Sequence, residues 1–185
     1  LIDKRLSAIR DGRLKGVMIG SFSSQKRQID LIDLIENISF FDFTFIGEGQ
    51  NKSIIENEIK TRGLENRITF TGAISSKEVL NILKKSDVYL HSVAWEGFGI
   101  SVLEAMKLGL PILASNVDGL SEVIQNKSRL IESFQSKKAY DLINKLFEDN
   151  IYYLSESINS YKRSKKFDLK KSIKLYDELY SSSQI

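Results

Sequence analysis

The sequence predicts an α/β fold, a parallel sheet of about six strands with helices on both faces and a helical C-terminal tail. Three observations carry this reading. Short β-branched or aromatic runs alternate with stretches whose apolar residues recur at helical spacing. Polar loops, several of them containing glycine, separate the two kinds of segment. After Ser133 only the helical period remains.

Taken in order, Leu1 to Arg10 sets Ile2, Leu6 and Ile9 at helical spacing, and Asp11-Gly12 ends that segment. Gly16 to Gly20 reads as a buried strand, Ser21 to Ser24 as a polar loop, and about Lys26 to Asn37 as a helix carrying Ile29, Ile32, Leu34 and Ile35. A strand over Asp42 to Ile46 stops at Gly47-Glu48-Gly49, and a helix over Ser53 to Arg62 is capped by Gly63. Arg67 to Thr71 is the third strand. Ser75 or Ser76 can N-cap the next helix, Glu78 to Lys85. A strand at Asp87 to Leu90, a glycine-containing turn, a helix and a strand at Pro111 to Ala114 follow. Gly119 to Ile124 is a short helix and Arg129 to Ile131 a short last strand. Lys137 to Asp149, Ile151 to Tyr161 and a segment from Phe167-Asp168 are the closing helices.

The 185 residues suit one domain or one with an appendage, so 1–185 is read as a single unit. Within it, 1–15 reads as a linker or helix from a preceding domain, and 135–185 as C-terminal helices. The sequence does not begin with methionine and opens inside a helical pattern, which predicts a piece of a longer protein. Hydrophobic content of 42% with 28% charged residues matches an ordinary globular chain. The net charge of +3 is spread out and calls for no nucleic-acid partner. Without cysteine there is no disulfide framework or thiolate metal site, and one histidine, His91, disfavours a histidine-built one. No apolar run approaches the roughly 20 residues of a membrane span, and no signal peptide is visible; a cytoplasmic setting is the expectation. The basic segment Lys162 to Lys174 reads as a solvated helix face, with contact to an anionic membrane surface or a partner domain as alternatives.

The chemistry concentrates in loops that leave strands. In a parallel sheet, ligands bind at the carboxyl ends of the strands, which singles out Gly20 to Lys26, Gly47 to Gln50 and Trp95 to Ile100. In the last, Gly97 and Gly99 precede a helix with Ile100, Leu103, Ala105, Met106 and Leu108 at helical spacing. The first amides of a helix lack internal partners and attract anions, and glycine lets a ligand approach the backbone. Glu96 and Glu104 flank that helix start. Glu104, amid Leu103 and Met106, is expected to be at least partly buried and so to need hydrogen-bond partners. A sugar diol would supply them, as would the amides of the preceding loop. Paired acids also fit a glycosidase, but helix-start amides suit a phosphate better. Lys26 is read at a helix start, where a lysine opposes the helix dipole unless an anion binds there. Neither Gly-x-x-x-x-Gly-Lys-Ser/Thr nor a Gly-x-Gly-x-x-Gly after the first strand occurs, which disfavours a P-loop and a dinucleotide cofactor. His91 is read as packing or as making a backbone hydrogen bond near the crevice, since no sequence partner supports a general base, and Trp95 as packing beside the loop.

The segment from Ser86 to Ile124, with Trp95-Glu-Gly-Phe-Gly-Ile-Ser-Val-Leu-Glu104 at its centre, resembles the donor-binding domain of the group 1 family of retaining glycosyltransferases. The resemblance extends to Gly20-x-Phe-x-x-Gln-Lys26, Phe45-Ile-Gly-Glu-Gly49, Leu64 to Gly72, and the Phe167 helix with Tyr176. It covers nearly the whole chain and implies the C-terminal Rossmann-like domain of the type B fold. It further implies that Lys26 neutralises the donor diphosphate, Glu96 meets the donor sugar as the candidate catalytic residue, and Glu104 holds the ribose. The loop at Gly97, with the amides of Phe98, Gly99 and Ile100, would hold the sugar and diphosphate. The backbone around Ile74 would read the base.

Ser21 falls in the donor site where many members carry an arginine, and Arg27 is the nearest substitute. His91 stands where a proline is common. The resemblance also implies a nucleotide-sugar substrate, UDP-sugar by default, with no metal or other cofactor. A glycan or lipid-linked acceptor would be held by an N-terminal domain, so this domain alone is expected to be inactive. Bacterial surface polysaccharide assembly, at the inner face of the plasma membrane, is the expected setting. A non-catalytic sensor, an epimerase and a phosphorylase of the same fold are the alternatives.

Overall fold

A computed structural model describes residues 12–167. The expected helix at Leu1 to Arg10, and the segment beyond Phe167 with Tyr176 and the second half of the basic stretch, lie outside the described residues. The chain runs β1 (Leu14–Ile19), α1 (Ile29–Asn37), β2 (Phe41–Ile46), α2 (Lys52–Thr61), β3 (Ile68–Phe70) and α3 (Ser76–Lys85). It continues through β4 (Val88–His91), α4 (Ile100–Lys107), β5 (Ile112–Ser115) and α5 (Asp118–Ile124). A short 3-10 turn, Lys127–Arg129, leads into β6 (Leu130–Ile131), and α6 (Lys137–Glu148) and α7 (Asn150–Ser164) close the described chain. The six strands pair in parallel in the order β3-β2-β1-β4-β5-β6.

Alternation along each strand divides the core. Leu14 and Met18 of β1, Phe41, Phe43 and Phe45 of β2, and Val88 and Leu90 of β4 face a layer made with α1, α2, α6 and α7. Val17, Tyr89, Ile112 and Ala114 point the other way, towards α3, α4 and α5. Burial on both faces accounts for the near-continuous apolar strands.

Helix α3 starts at a capping box. The Ser75 hydroxyl accepts from the Glu78 amide and the Glu78 carboxylate from the Ser75 amide, an arrangement worth about 1 kcal/mol. Helix α7 returns across the domain. Tyr153 Oη donates to the Asp87 carbonyl at 2.8 Å, Ser157 Oγ to the Gly109 carbonyl at 2.5 Å, and Arg163 Nε to the Val123 carbonyl at 2.8 Å. A buried Arg129–Glu156 ion pair completes this seam. Helix α7 is thus fixed to the chain just before β4, to the turn after α4 and to α5.

One boundary moves the site. The helix read from Lys26 begins at Ile29, and Lys26 lies in a turn before it. The carbonyls that would have opened that helix are taken by β4 and its loop. Ser92 Oγ lies 3.1 Å from the Lys26 carbonyl and 3.0 Å from that of Arg27, and the Ala94 amide donates to the Gln25 carbonyl at 2.8 Å. Arg27 completes the turn with φ of 45° and pairs with Asp30 at 2.7 Å.

Candidate functional site

The strand order reverses direction between β1 and β4, the switch point at which open α/β sheets bind ligands. The loops leaving these two strands meet there. Lys26 Nζ, from the loop after β1, lies 2.7 Å from Glu96 Oε2, from the loop after β4. Gln25 Nε2 donates to the Trp95 carbonyl at 3.0 Å, fastening the same two loops. The loop after β2 joins from the other side: the Phe22 amide donates to the Glu48 carbonyl at 3.0 Å and the Asn51 amide to the Phe22 carbonyl at 3.1 Å. A Cβ on Gly47 would come within 2.2 Å of the Gly20 carbonyl oxygen, and φ there is +142°. That close approach needs glycine. The three glycine-bearing loops therefore form one crevice rim, as the sequence predicts.

Glu96 is held from three sides. Besides Lys26, His91 Nε2 lies 3.1 Å from Oε2, and the Gly97 amide donates to Oε1 at 3.1 Å. Burial alone would raise the Glu96 pKa, but the hydrogen bonds from Lys26 and His91 outweigh it and bring it to about 2. The carboxylate is therefore ionised at neutral pH. His91 is fully buried. Burial, aided by the charge of Lys26, outweighs the opposing pull of Glu96 and lowers the imidazole pKa to about 4.

The amides of Phe98, Gly99 and Ile100 donate to no other described residue. They point out of the N-terminus of α4, whose N-cap is Gly99 at φ 78°. A Cβ on Gly99 would meet Leu120 at 2.6 Å, and one on Gly119 would stand 2.2 Å from the Glu96 carbonyl oxygen. Helix α5 thus supports the loop from behind. Phe98 meets Phe167 edge-on, with ring centroids 5.6 Å apart, so the last described residue touches the same loop.

Two expectations need correction here. Glu104 is exposed, not buried among Leu103 and Met106. Helix α4 buries Val102, Leu103, Ala105 and Met106 and turns Ile100, Glu104 and Lys107 outward, with Ile100 69% exposed. The Glu104 carboxylate forms no hydrogen bond or ion pair with another described residue. It lines a cavity of about 400 Å³ together with Ile19, Val79, Leu80, Leu83 and Leu108. Trp95, read as packing, is 64% exposed; its carbonyl, not its indole, is the fastening group.

These features match a known family. Residues 2–165 fit the family described as glycosyl transferases group 1. The chain belongs to it. An uncharacterized glycosyltransferase of Methanocaldococcus jannaschii is 30% identical over 170 residues, covering 89% of this chain and 48% of that protein. The O-antigen biosynthesis glycosyltransferase WclY of Escherichia coli is 30% identical over 129 residues, 63% of this chain and 36% of that protein. The chain thus spans half or less of these relatives. Among solved structures, Anabaena HepE in complex with UDP-glucose superposes with a TM-score of 0.82 at 22% identity, over 97% of this chain and 53% of that one. The fold is the Rossmann-like domain of type B glycosyltransferases.

Within this glycosyltransferase domain, Lys26, Glu96, Gly97, Phe98, Gly99 and Ile100 come together around one crevice. Ser21 is exposed at the exit of β1, and its carbonyl accepts from Gln28 Nε2 at 2.9 Å. Ile74 is half-buried and packs against the core on the α3 side, and the α3 residues Val79, Leu80 and Leu83 line the cavity beside Glu104. That wall and the His91–Glu96 contact are what the sequence reading missed. The α3 residues carry an ordinary helical period with nothing to mark them as a site. His91 had a usable signal, a polar residue ending an apolar strand five positions before a candidate carboxylate.

Proposed function

We propose that this chain is the donor-binding half of a retaining glycosyltransferase. It takes a nucleotide sugar, by default a UDP-sugar, and a preceding domain presents a glycan or lipid-linked acceptor. The observation that carries the reading is the meeting of Lys26 and Glu96 at the switch point, beside amides at the start of α4 that donate to no other described residue. A cation and helix-start amides suit a diphosphate, and a fixed carboxylate suits sugar hydroxyls. Glu104, whose carboxylate has no hydrogen-bond partner among the described residues, lines a cavity with Ser76, Lys107 and apolar residues of α3, and suits ribose hydroxyls.

In transfer, the bond between the sugar's anomeric carbon and the diphosphate breaks with its electron pair going to the diphosphate. Lys26 and the amides of Phe98, Gly99 and Ile100 stabilise that charge, so no metal is needed. Glu96 holds the sugar while the acceptor hydroxyl oxygen bonds to the anomeric carbon on the face the diphosphate leaves and passes its proton to the departing diphosphate oxygen. Solved relatives of this fold hold UDP and UDP-glucose, and WclY acts in O-antigen biosynthesis. These support a UDP-sugar donor and a role in bacterial surface polysaccharide assembly. No helix among the described residues is long and apolar enough to cross a membrane, and a site at the inner face of the plasma membrane belongs to the proposal. Calorimetry with UDP-, GDP- and ADP-sugars tests it. The chain is expected to bind a UDP-sugar and to transfer nothing alone; silence towards all three classes would overturn the reading.

A further inference from the structure

We infer that His91 is a positioning residue, which keeps the Glu96 carboxylate in its working orientation when Lys26 turns from Glu96 to the donor diphosphate. The inference rests on the donor-site reading above. Lys26 and His91 address the same oxygen, Glu96 Oε2, at 2.7 and 3.1 Å. A lysine that neutralises a diphosphate loosens its hold on that oxygen. The remaining grip is the Gly97 amide on Oε1 and His91 on Oε2.

His91 is built to stay. It ends β4, an interior strand between β1 and β5, and its side chain is 0% exposed. The Tyr89 ring stacks on it, with centroids 5.9 Å apart and planes 24° apart. The Tyr89 hydroxyl is itself tethered: it accepts from the Ile19 amide at 3.2 Å and bonds Ser101 Oγ at 2.9 Å. Two buried side chains thus link the main chain of β1 to the carboxylate. The groups facing the imidazole are Glu96, Lys26 and Tyr89. With Nε2 directed at a carboxylate and Nδ1 at a hydroxyl 3.5 Å away, the ring is neutral, protonated on Nε2, and a fixed donor. An imidazole buried only for packing would be a costly choice over an aliphatic side chain. Glu96 is the partner that accounts for it.

His91 is the sole histidine, so its imidazole nitrogens are unambiguous in a ¹⁵N NMR spectrum of the whole chain. The expected spectrum is that of the neutral Nε2-protonated ring at neutral pH, unchanged on adding UDP. The second arm compares UDP with the UDP-sugar that the native chain prefers over it. His91→Leu should keep UDP affinity and lose the preference by about tenfold, the worth of a hydrogen bond to a charged group. His91→Gln, which can place an N–H near the same point, should retain it.

An Nδ1-protonated ring would overturn the inference. So would a His91→Leu protein that binds UDP and keeps the native preference, while the donor reading would survive. A native chain that binds neither UDP nor any UDP-sugar would remove the donor reading and this inference with it. Should His91→Leu not fold, the NMR arm and His91→Gln decide.

Discussion

Lys26 and Glu96 lie 70 positions apart in sequence and 2.7 Å apart in space. Each belongs to a loop leaving one of the two central strands, and both side chains are only 16% exposed. A partly buried lysine is thus bound to a carboxylate beside helix-start amides that donate to no other described residue.

Lys26→Ala should weaken UDP binding by about 10–100-fold, the range for a hydrogen bond to a charged group. Uridine lacks the diphosphate, so its affinity should not change. Titration of both ligands against both proteins by calorimetry separates a phosphate contact from general damage. Equal loss for the two ligands would mean that Lys26 supports the fold rather than the diphosphate.

Gly119 should prove indispensable to the loop that carries Glu96. A methyl there would lie 2.2 Å from the Glu96 carbonyl oxygen and 2.4 Å from that of Gly97. Both are backbone atoms and cannot swing aside. Gly119→Ala should cost about 1–3 kcal/mol of stability. Gly97→Ala, with nothing within 4 Å of its Cβ, should be near neutral. Urea midpoints of the two variants give the comparison.

Acid should weaken the domain through His91 first. Its folded pKa of about 4 lies below the unfolded value of 6.5, so the unfolded chain binds the proton more tightly. The stability of the neutral buried ring is complete above 6.5 and falls as the pH drops towards about 4. The loss is on the order of 2–3 kcal/mol. Glu96 acts lower: its contribution is present above its ordinary value of 4.5 and lost as the pH falls through about 2. Urea unfolding at stepped pH should show a slope between 6.5 and 4 that His91→Gln flattens. Identical slopes in the two proteins would count against a neutral buried ring.

The fold was legible because β1, β2, β4 and β5 are each packed into the core, and that burial is written as apolar runs between helical periods. The crevice loops were legible for a related reason: Gly47 and Gly99 sit where the backbone needs φ above zero or a close approach. What was not legible depends on contacts made far along the chain. The start of α1 shifts to Ile29 because Ser92 and Ala94 claim the carbonyls of Lys26, Arg27 and Gln25. His91 gains its partner only because the Ala94 to Glu96 loop folds back over the end of β4. Glu104 was misplaced because α4 has only eight residues, too few for the period to separate its core face from the face turned to the cavity.

The donor assignment turns on Glu104, the one site carboxylate that the protein leaves without a hydrogen-bond partner among the described residues. If it holds the ribose, UDP should bind the native chain more tightly than 2′-deoxy-UDP, and Glu104→Ala should bring the two to equal, weaker affinity. Calorimetry of both ligands against both proteins is the most direct measurement. A native chain that binds UDP and 2′-deoxy-UDP alike, with Glu104→Ala unchanged, would contradict the donor site described above.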